Sequence, residues 1–353
     1  MQRGWVVVRV TQDLRQLVRT ELARSTGAVG EGCEPHVFHV QNVALPVMVR
    51  YWSPAMFPIS EQRRCMRVAV IGGGTMGIGI AHRFAANGAS VIVVDVDLAT
   101  AQTAVSRTVE TLTTAAARGK LNPDDLDGVV SNVHAAASIE DLDIGLELIV
   151  EAVIEDVQLK QSILAACEAR DPVVLASNTS SISIDELATG LSSPERFAGM
   201  HFFNPVWAMH LVEVIRGAAT SDATLDTIAS MVEFLGMEQA LINDAPGFAT
   251  SRLGVLVGVE AIRMVEEGVA APTDIDRAMA LGYGYPMGPL MLGDLVGLDV
   301  RLKIASHLAS VYGERFRPPE LLKTMVAEGK LGKKSGVGFY DWTSGSAVRL
   351  QEL

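Results

Sequence analysis

Short continuous apolar runs recur along the chain. They lie at Val68–Ile71, Val91–Val94, Leu146–Val153 (broken only by Glu147 and Glu151), Pro172–Ala176, Phe197–Phe203, Leu211–Ile215 and Gln239–Ile242. Runs of this length without polar alternation are the pattern of strands covered on both faces. Helix-compatible stretches separate them: a segment after Gly77, Ala99–Gly119, a short helix opened by Asn122-Pro123-Asp124-Asp125, Val157–Glu168 and Ala223–Leu235. Strands alternating with helices predict a mostly parallel, doubly wound α/β sheet. The pattern changes at Asp244-Ala245-Pro246-Gly247. Beyond it no strand is expected. Helices are predicted over Phe248–Glu267, Thr273–Leu281, Pro289–Leu295, Asp299–Tyr312 and Pro319–Glu328, with Gly268 stopping the first. The 254–262 segment is apolar nearly all round, which predicts a buried central helix.

The first apolar run ends on Gly72-x-Gly74-x-x-Gly77, and the second stops at Asp95, 18 residues after Gly77. Strand, glycine turn, helix, strand and acid in that order each have a physical task in holding a dinucleotide. Gly72 permits a tight turn, Gly74 lets backbone approach a pyrophosphate, and Gly77 allows close helix–strand packing. The helix N-terminus offers free N–H groups and the positive end of its dipole to phosphates. Asp95 accepts from ribose hydroxyls and would repel a 2′-phosphate. The nearest following cation is Arg107, so NAD is expected rather than NADP.

Composition narrows the field further. The 353-residue chain is 49% hydrophobic and 20% charged, enough for two globular domains. A net charge of −12 argues against non-specific nucleic-acid binding. Its three cysteines, Cys33, Cys65 and Cys167, form no CxxC pair, so no metal site is expected and a reduced, cytoplasmic compartment is. No apolar run is long enough for a membrane span. Residues 1–65 stand apart, with eight Arg and no Lys. They are read as a poorly structured, dispensable extension or start-site artefact. A targeting presequence is the competing reading, against which Asp13, Glu21, Glu31, Glu34 and Glu61 count. The expected domains are therefore the 1–65 extension, a Rossmann-type dinucleotide-binding domain at 66–246 and an all-α domain at 247–353.

A nicotinamide enzyme needs a group to move the alcohol proton. His201 follows a predicted strand in Gly199-Met200-His201-Phe202-Phe203-Asn204-Pro205. Glu213, a lone acid in Leu211-Val212-Glu213-Val214-Ile215, returns toward it if the segment runs strand, loop, strand. A carboxylate there would fix the imidazole tautomer and stabilise its charged form. Ser177-Asn178-Thr179-Ser180-Ser181 follows another strand, at the sheet edge where ligands of open α/β folds bind, and also suits capping of the helix at Ile184. The remaining histidines are isolated and read as structural or surface residues. No GxSxG elbow and no HExxH are present.

Together these segments, with VIGGGTMGIGIA, SNTSS, GMHFFNP, LVEVI, DAPGF, IDRAM, GYPMGP and LGKKSGVGFY, resemble the 3-hydroxyacyl-CoA dehydrogenase family over residues 66–342, in its short 3-hydroxybutyryl-CoA dehydrogenase form. The resemblance implies NAD-dependent, reversible oxidation of a short-chain L-3-hydroxyacyl-CoA to the 3-ketoacyl-CoA. It implies His201 as general base and acid, Glu213 as its orienting partner, and Ser180 and Asn204 on the substrate oxygen. Glu155 and Lys160 would lie near the cofactor, and a homodimer would form through the helical domain. Arg118 and Lys120 are the candidates for the CoA phosphates. The chain departs from the family pattern PGFIVNR in Pro246-Gly247-Phe248-Ala249-Thr250-Ser251-Arg252, where Ser251 stands at the Asn position as a substrate contact. Trp207 and His210 replace Pro and Lys. These departures keep three alternatives open: an acyl-carrier-protein thioester as substrate, another β-hydroxy acid, or a non-catalytic NAD-binding relative.

Overall fold

The computed structural model describes residues 66–349, so the reading of the 1–65 segment lies outside the described residues. Eight strands form one sheet in the order β3-β2-β1-β4-β5-β6-β7-β8. They are β1 (Arg67–Ile71), β2 (Ser90–Val94), β3 (Val133–Ala136), β4 (Leu148–Glu151), β5 (Val174–Ser177), β6 (Phe197–Phe202), β7 (Leu211–Arg216) and β8 (Glu238–Asn243). Every ladder is parallel except β6–β7. The helices between them are α1 (Thr75–Ala86), α2 (Leu98–Ala117), α3 (Leu126–Ser131), α4 (Val157–Glu168), α5 (Ile184–Leu187) and α6 (Asp222–Phe234). Side chains of β1 alternate between two cores: Val68 and Val70 pack with α1 on one face, Ala69 and Ile71 with α4 on the other. That double covering is why the strand sequences read as unbroken apolar runs.

Strand β3 was not expected. Its sequence, Val-His-Ala-Ala, contains no apolar run because it is a half-covered edge strand. A two-stranded hairpin, Tyr340–Asp341 (β9) with Val348–Arg349 (β10), also corrects the expectation of no strand beyond residue 247. Strands of two residues are too short to show a period.

Beyond β8 come α7 (Thr250–Glu266), α8 (Pro272–Tyr283), α9 (Pro289–Val296), α10 (Leu298–Tyr312) and α11 (Glu320–Ala327). The sequence placed the start of α7 at Phe248. The helix begins two residues later because Gly247 and Phe248 both have positive φ, at 75° and 47°, and form the turn that aims α7. Within 254–262, Val255, Val259, Ala261 and Ile262 are buried and only Glu260 is exposed, while Leu253, one residue before that segment, is 61% exposed.

Candidate functional site

The strand order reverses direction between β1 and β4, the crevice where open α/β sheets bind ligands at their carboxyl edge. Gly72 closes β1 at φ 104°, and a Cβ there would come within 2.7 Å of the Ala152 carbonyl oxygen beyond β4. A Cβ on Gly77 would overlap the Gly72 carbonyl, so this glycine lets α1 approach the turn. Gly74 caps α1 without any side-chain hydrogen bond, and a Cβ on it would meet open space. No side chain caps the first N–H groups of α1, which leaves them for a pyrophosphate. At the end of β2, Asp95 accepts from Gly73 N (2.6 Å) and Val96 N (2.7 Å), which fixes its carboxylate beside the turn. A cavity of 250 Å³ opens there, walled by Asp95, Val96, Ile139 and Val153. These features fit the adenosine half of NAD. Gly73, which the sequence reading passed over, is confined by Ala104 of α2 and by Asp95.

The second half of the site is built on β6 and β7. Their antiparallel ladder sets His201 directly opposite Glu213. His201 Nδ1 lies 2.8 Å from Glu213 Oε2. The ring is nearly buried and packs on Phe203, with centroids 4.5 Å apart, and on Phe248 at 5.9 Å. Glu213 is fully buried. It also accepts from Thr250 N (2.8 Å), Thr250 Oγ1 (2.8 Å) and Ala249 N (3.3 Å). Burial alone raises its carboxyl, but the bonds from His201 and Thr250 outweigh that and hold it below the ordinary glutamate range. Glu213 is therefore ionised at neutral pH, Nδ1 carries a proton toward it, and Nε2 is the ring nitrogen left for the cavity. That cavity, of 330 Å³, brings together His201, Asn204, Ser180, Asn178, Glu155 and Met76.

Beneath it lies a buried polar network. Lys160, 1% exposed, donates to Glu151 Oε1 at 2.6 Å and Val153 O at 3.3 Å, and pairs with Glu155 Oε2 at 3.4 Å. Its three donors are thus satisfied by protein. Ser177 Oγ donates to the other oxygen of Glu151 at 2.6 Å. Glu155 Oε1 accepts from Thr179 Oγ1 (2.7 Å), Ser181 Oγ (2.9 Å) and the N–H groups of Ser180 and Ser181. Burial pushes its carboxyl up, yet the Lys160 ammonium and these bonds bring it below its usual range. Asn178 Oδ1 accepts from Phe202 N at 2.8 Å, tying the same loop to β6. The loop does not cap α5: Ser183 does, accepting from Glu186 N.

Glu151 was missed by sequence reasoning, although an acid inside an apolar strand was the available signal. Thr250 was missed too, since nothing local marks it. Ser251 is half-buried in the first turn of α7, and its hydroxyl has no partner among the described residues. Trp207 lies half-exposed against His82, with centroids 5.6 Å apart, while His210, Arg118 and Lys120 are exposed. Burial first, then Arg83, pushes the His82 imidazole down to about 4, so it is a neutral packing residue. Cys167 is buried and free, its thiol pushed upward and inert. No group of His, Cys, Asp and Glu among the described residues is arranged to hold a metal. No helix among them is long and apolar enough to cross a membrane.

Sequence comparison matches residues 67–245 to the 3-hydroxyacyl-CoA dehydrogenase NAD-binding domain and residues 247–342 to the C-terminal domain of the same family. A 3-hydroxybutyryl-CoA dehydrogenase of Clostridioides difficile is 38% identical over 280 residues, covering 78% of this chain and 99% of that protein. A mitochondrial hydroxyacyl-coenzyme A dehydrogenase of Sus scrofa is 37% identical over 284 residues, 78% of this chain and 90% of the relative. Among solved structures, the (S)-3-hydroxybutyryl-CoA dehydrogenase of Ralstonia eutropha superimposes with a TM-score of 0.74 at 38% identity, over 78% of this chain and 99% of that one.

Proposed function

The chain belongs to the 3-hydroxyacyl-CoA dehydrogenase family, and on that premise we propose that it interconverts a short-chain L-3-hydroxyacyl-CoA and the corresponding 3-ketoacyl-CoA. NAD, held by Gly72, Gly74, Gly77 and Asp95, supplies the hydride acceptor when bound. The proton belongs to the protein. His201 Nε2 takes it from the 3-hydroxyl in oxidation and returns it in reduction. Glu213 holds the ring through Nδ1 and stabilises its charged form. Ser180 and Asn204 share the cavity with His201 and are assigned to the substrate oxygen. Glu155 lines the cavity and anchors the Ser180 main chain, and Lys160, which anchors Glu155, acts on the site through it. Ser251, at the position of the family Asn, is assigned a substrate contact.

The observation that carries this reading is the His201–Glu213 bond on the wall of a cavity at the strand switch point. It is tested by NADH consumption with acetoacetyl-CoA. Turnover by the wild type, lost in His201→Ala, supports it, and no turnover by the wild type overturns it.

A homodimer through the helical domain is part of the proposal. Leu253, Leu281, Tyr283, Leu292 and Val296 of α7, α8 and α9 are exposed apolar side chains that a second copy would cover. Light scattering of the purified protein checks it, a monomeric mass overturning it. A cytoplasmic location, consistent with a free Cys167, completes the assignment and is checked by cell fractionation.

A further inference from the structure

Five threonines inside the helices of this protein share one habit, while Thr111 and Thr224 bond other carbonyls. Thr103, Thr108, Thr113, Thr114 and Thr227 each return their hydroxyl to the carbonyl four residues earlier. Thr250 does not. Its hydroxyl crosses to Glu213, 37 residues away, and bonds Oε2 at 2.8 Å, the oxygen that also holds His201 Nδ1. Its N–H takes the other oxygen at 2.8 Å, so one residue grips both ends of the carboxylate. It does not cap its own helix: Ala249 holds that position, with no side-chain bond. In the pattern PGFIVNR this position is valine, which has no hydroxyl to give. His201 is the one titratable group bonded to Glu213 among the described residues. Ala240 is the ladder partner of Glu213 on β8, and α7 presents only Ala249 and Thr250.

We propose that Thr250 is a positioning residue of the acid–base pair, clamping Glu213 and thereby tying the proton affinity of His201 to the seating of α7 on the sheet. The inference rests on the assignment of His201 as acid and base. The physical argument is one of shared charge. A carboxylate that accepts from Thr250 has less electron density to offer the imidazolium, so the clamp sets how tightly the ring holds its proton. It also fixes the carboxylate rotamer, and with it the direction of Nε2. Because Thr250 is the first residue of α7, displacing that helix loosens the pair.

The experiment compares the full-length wild type with Thr250→Val, Thr250→Ala and Thr250→Ser, following the His201 ring by NMR across a pH titration and, in parallel, NADH consumption with acetoacetyl-CoA. In Thr250→Val and Thr250→Ala the midpoint of His201 protonation is expected to rise by about half a pH unit to one unit, with turnover falling about three- to tenfold. Thr250→Ser retains the hydroxyl and is expected to restore both. Thermal melts identify any variant that is merely unfolded, and Thr250→Ala removes the hydroxyl without adding a methyl. Coincident titration curves for wild type, Thr250→Ala and Thr250→Ser would overturn the proposal and leave Thr250 a structural tie. The titration needs no turnover, so an inactive wild type would sink the dehydrogenase assignment while still deciding the role of Thr250.

Discussion

Two buried acids, Glu213 under the β6–β7 ladder and Asp294 in α9, look alike by burial and bonding and differ in everything that matters for chemistry. Both are fully enclosed. Glu213 accepts from His201, Ala249 and Thr250. Asp294 accepts from Phe339 N, Tyr340 N and Trp342 Nε1 at 3.0, 2.9 and 2.9 Å. Yet burial wins at Asp294, where a second acid, Asp276, also faces the group, and its carboxyl is raised. At Glu213 the donors win, and its carboxyl is lowered. The partners of Asp294 are fixed donors that lock the hairpin β9–β10 to α9. One partner of Glu213 is a titratable ring that borders a cavity. A perturbed buried carboxylate is therefore no mark of a site by itself. A titratable partner with a route to ligand is the discriminating feature.

That contrast is broken most directly by substitution. His201→Ala is expected to lower turnover by about 10²–10⁴-fold while shifting the melting temperature little, measured by NADH consumption and calorimetry. Asp294→Ala is expected to do the reverse. It strands three buried N–H donors and should cost about 3 kcal/mol of folding stability, read by urea unfolding, with activity per folded molecule retained. A large loss of turnover without loss of stability would place Asp294 in the chemistry after all.

Acid titration sharpens the comparison, because the two carboxyls act with opposite sign. Glu213 titrates in the folded state below its ordinary 4.5, so its stabilising contribution is full above that value and disappears as pH falls through the lower folded value. Asp294 titrates above its ordinary 3.8, so ionising it costs the fold at higher pH, and that cost is relieved on acidification toward 3.8. Unfolding free energy should fall less steeply with acid in Glu213→Gln than in wild type, and more steeply in Asp294→Asn. Parallel slopes in all three proteins would refute the assignment. The smallest effect belongs to Ser251→Asn, expected to raise kcat/KM for acetoacetyl-CoA by about two- to fivefold, since the serine hydroxyl has no protein partner to lose.

What the sequence made legible follows from locality. The strand–glycine turn–helix unit and Asp95 are written within thirty or so consecutive residues, and apolar runs mark the strands that are covered twice. Glu213 was within reach because a single short return brings it to His201. Lys160, Glu151 and Ser177 form their network across 26 residues and three elements, and only folding shows that Lys160 is spent on protein rather than left for a ligand. Thr250 reaches Glu213 over 37 residues from what reads as an ordinary helix start.

The one antiparallel ladder of the sheet separates a spacing fixed by main chain from a loop that is not so fixed. His201 and Glu213 are facing rungs, so their spacing is set by main-chain register and is indifferent to the hairpin loop joining them. That loop carries Asn204, Trp207, Met209 and His210. A change in the length or residues of its distal part leaves the facing of His201 and Glu213 to the ladder. The sheet thus works as a chassis with an interchangeable fitting: the ladder fixes the pair, and the loop sets what surrounds it.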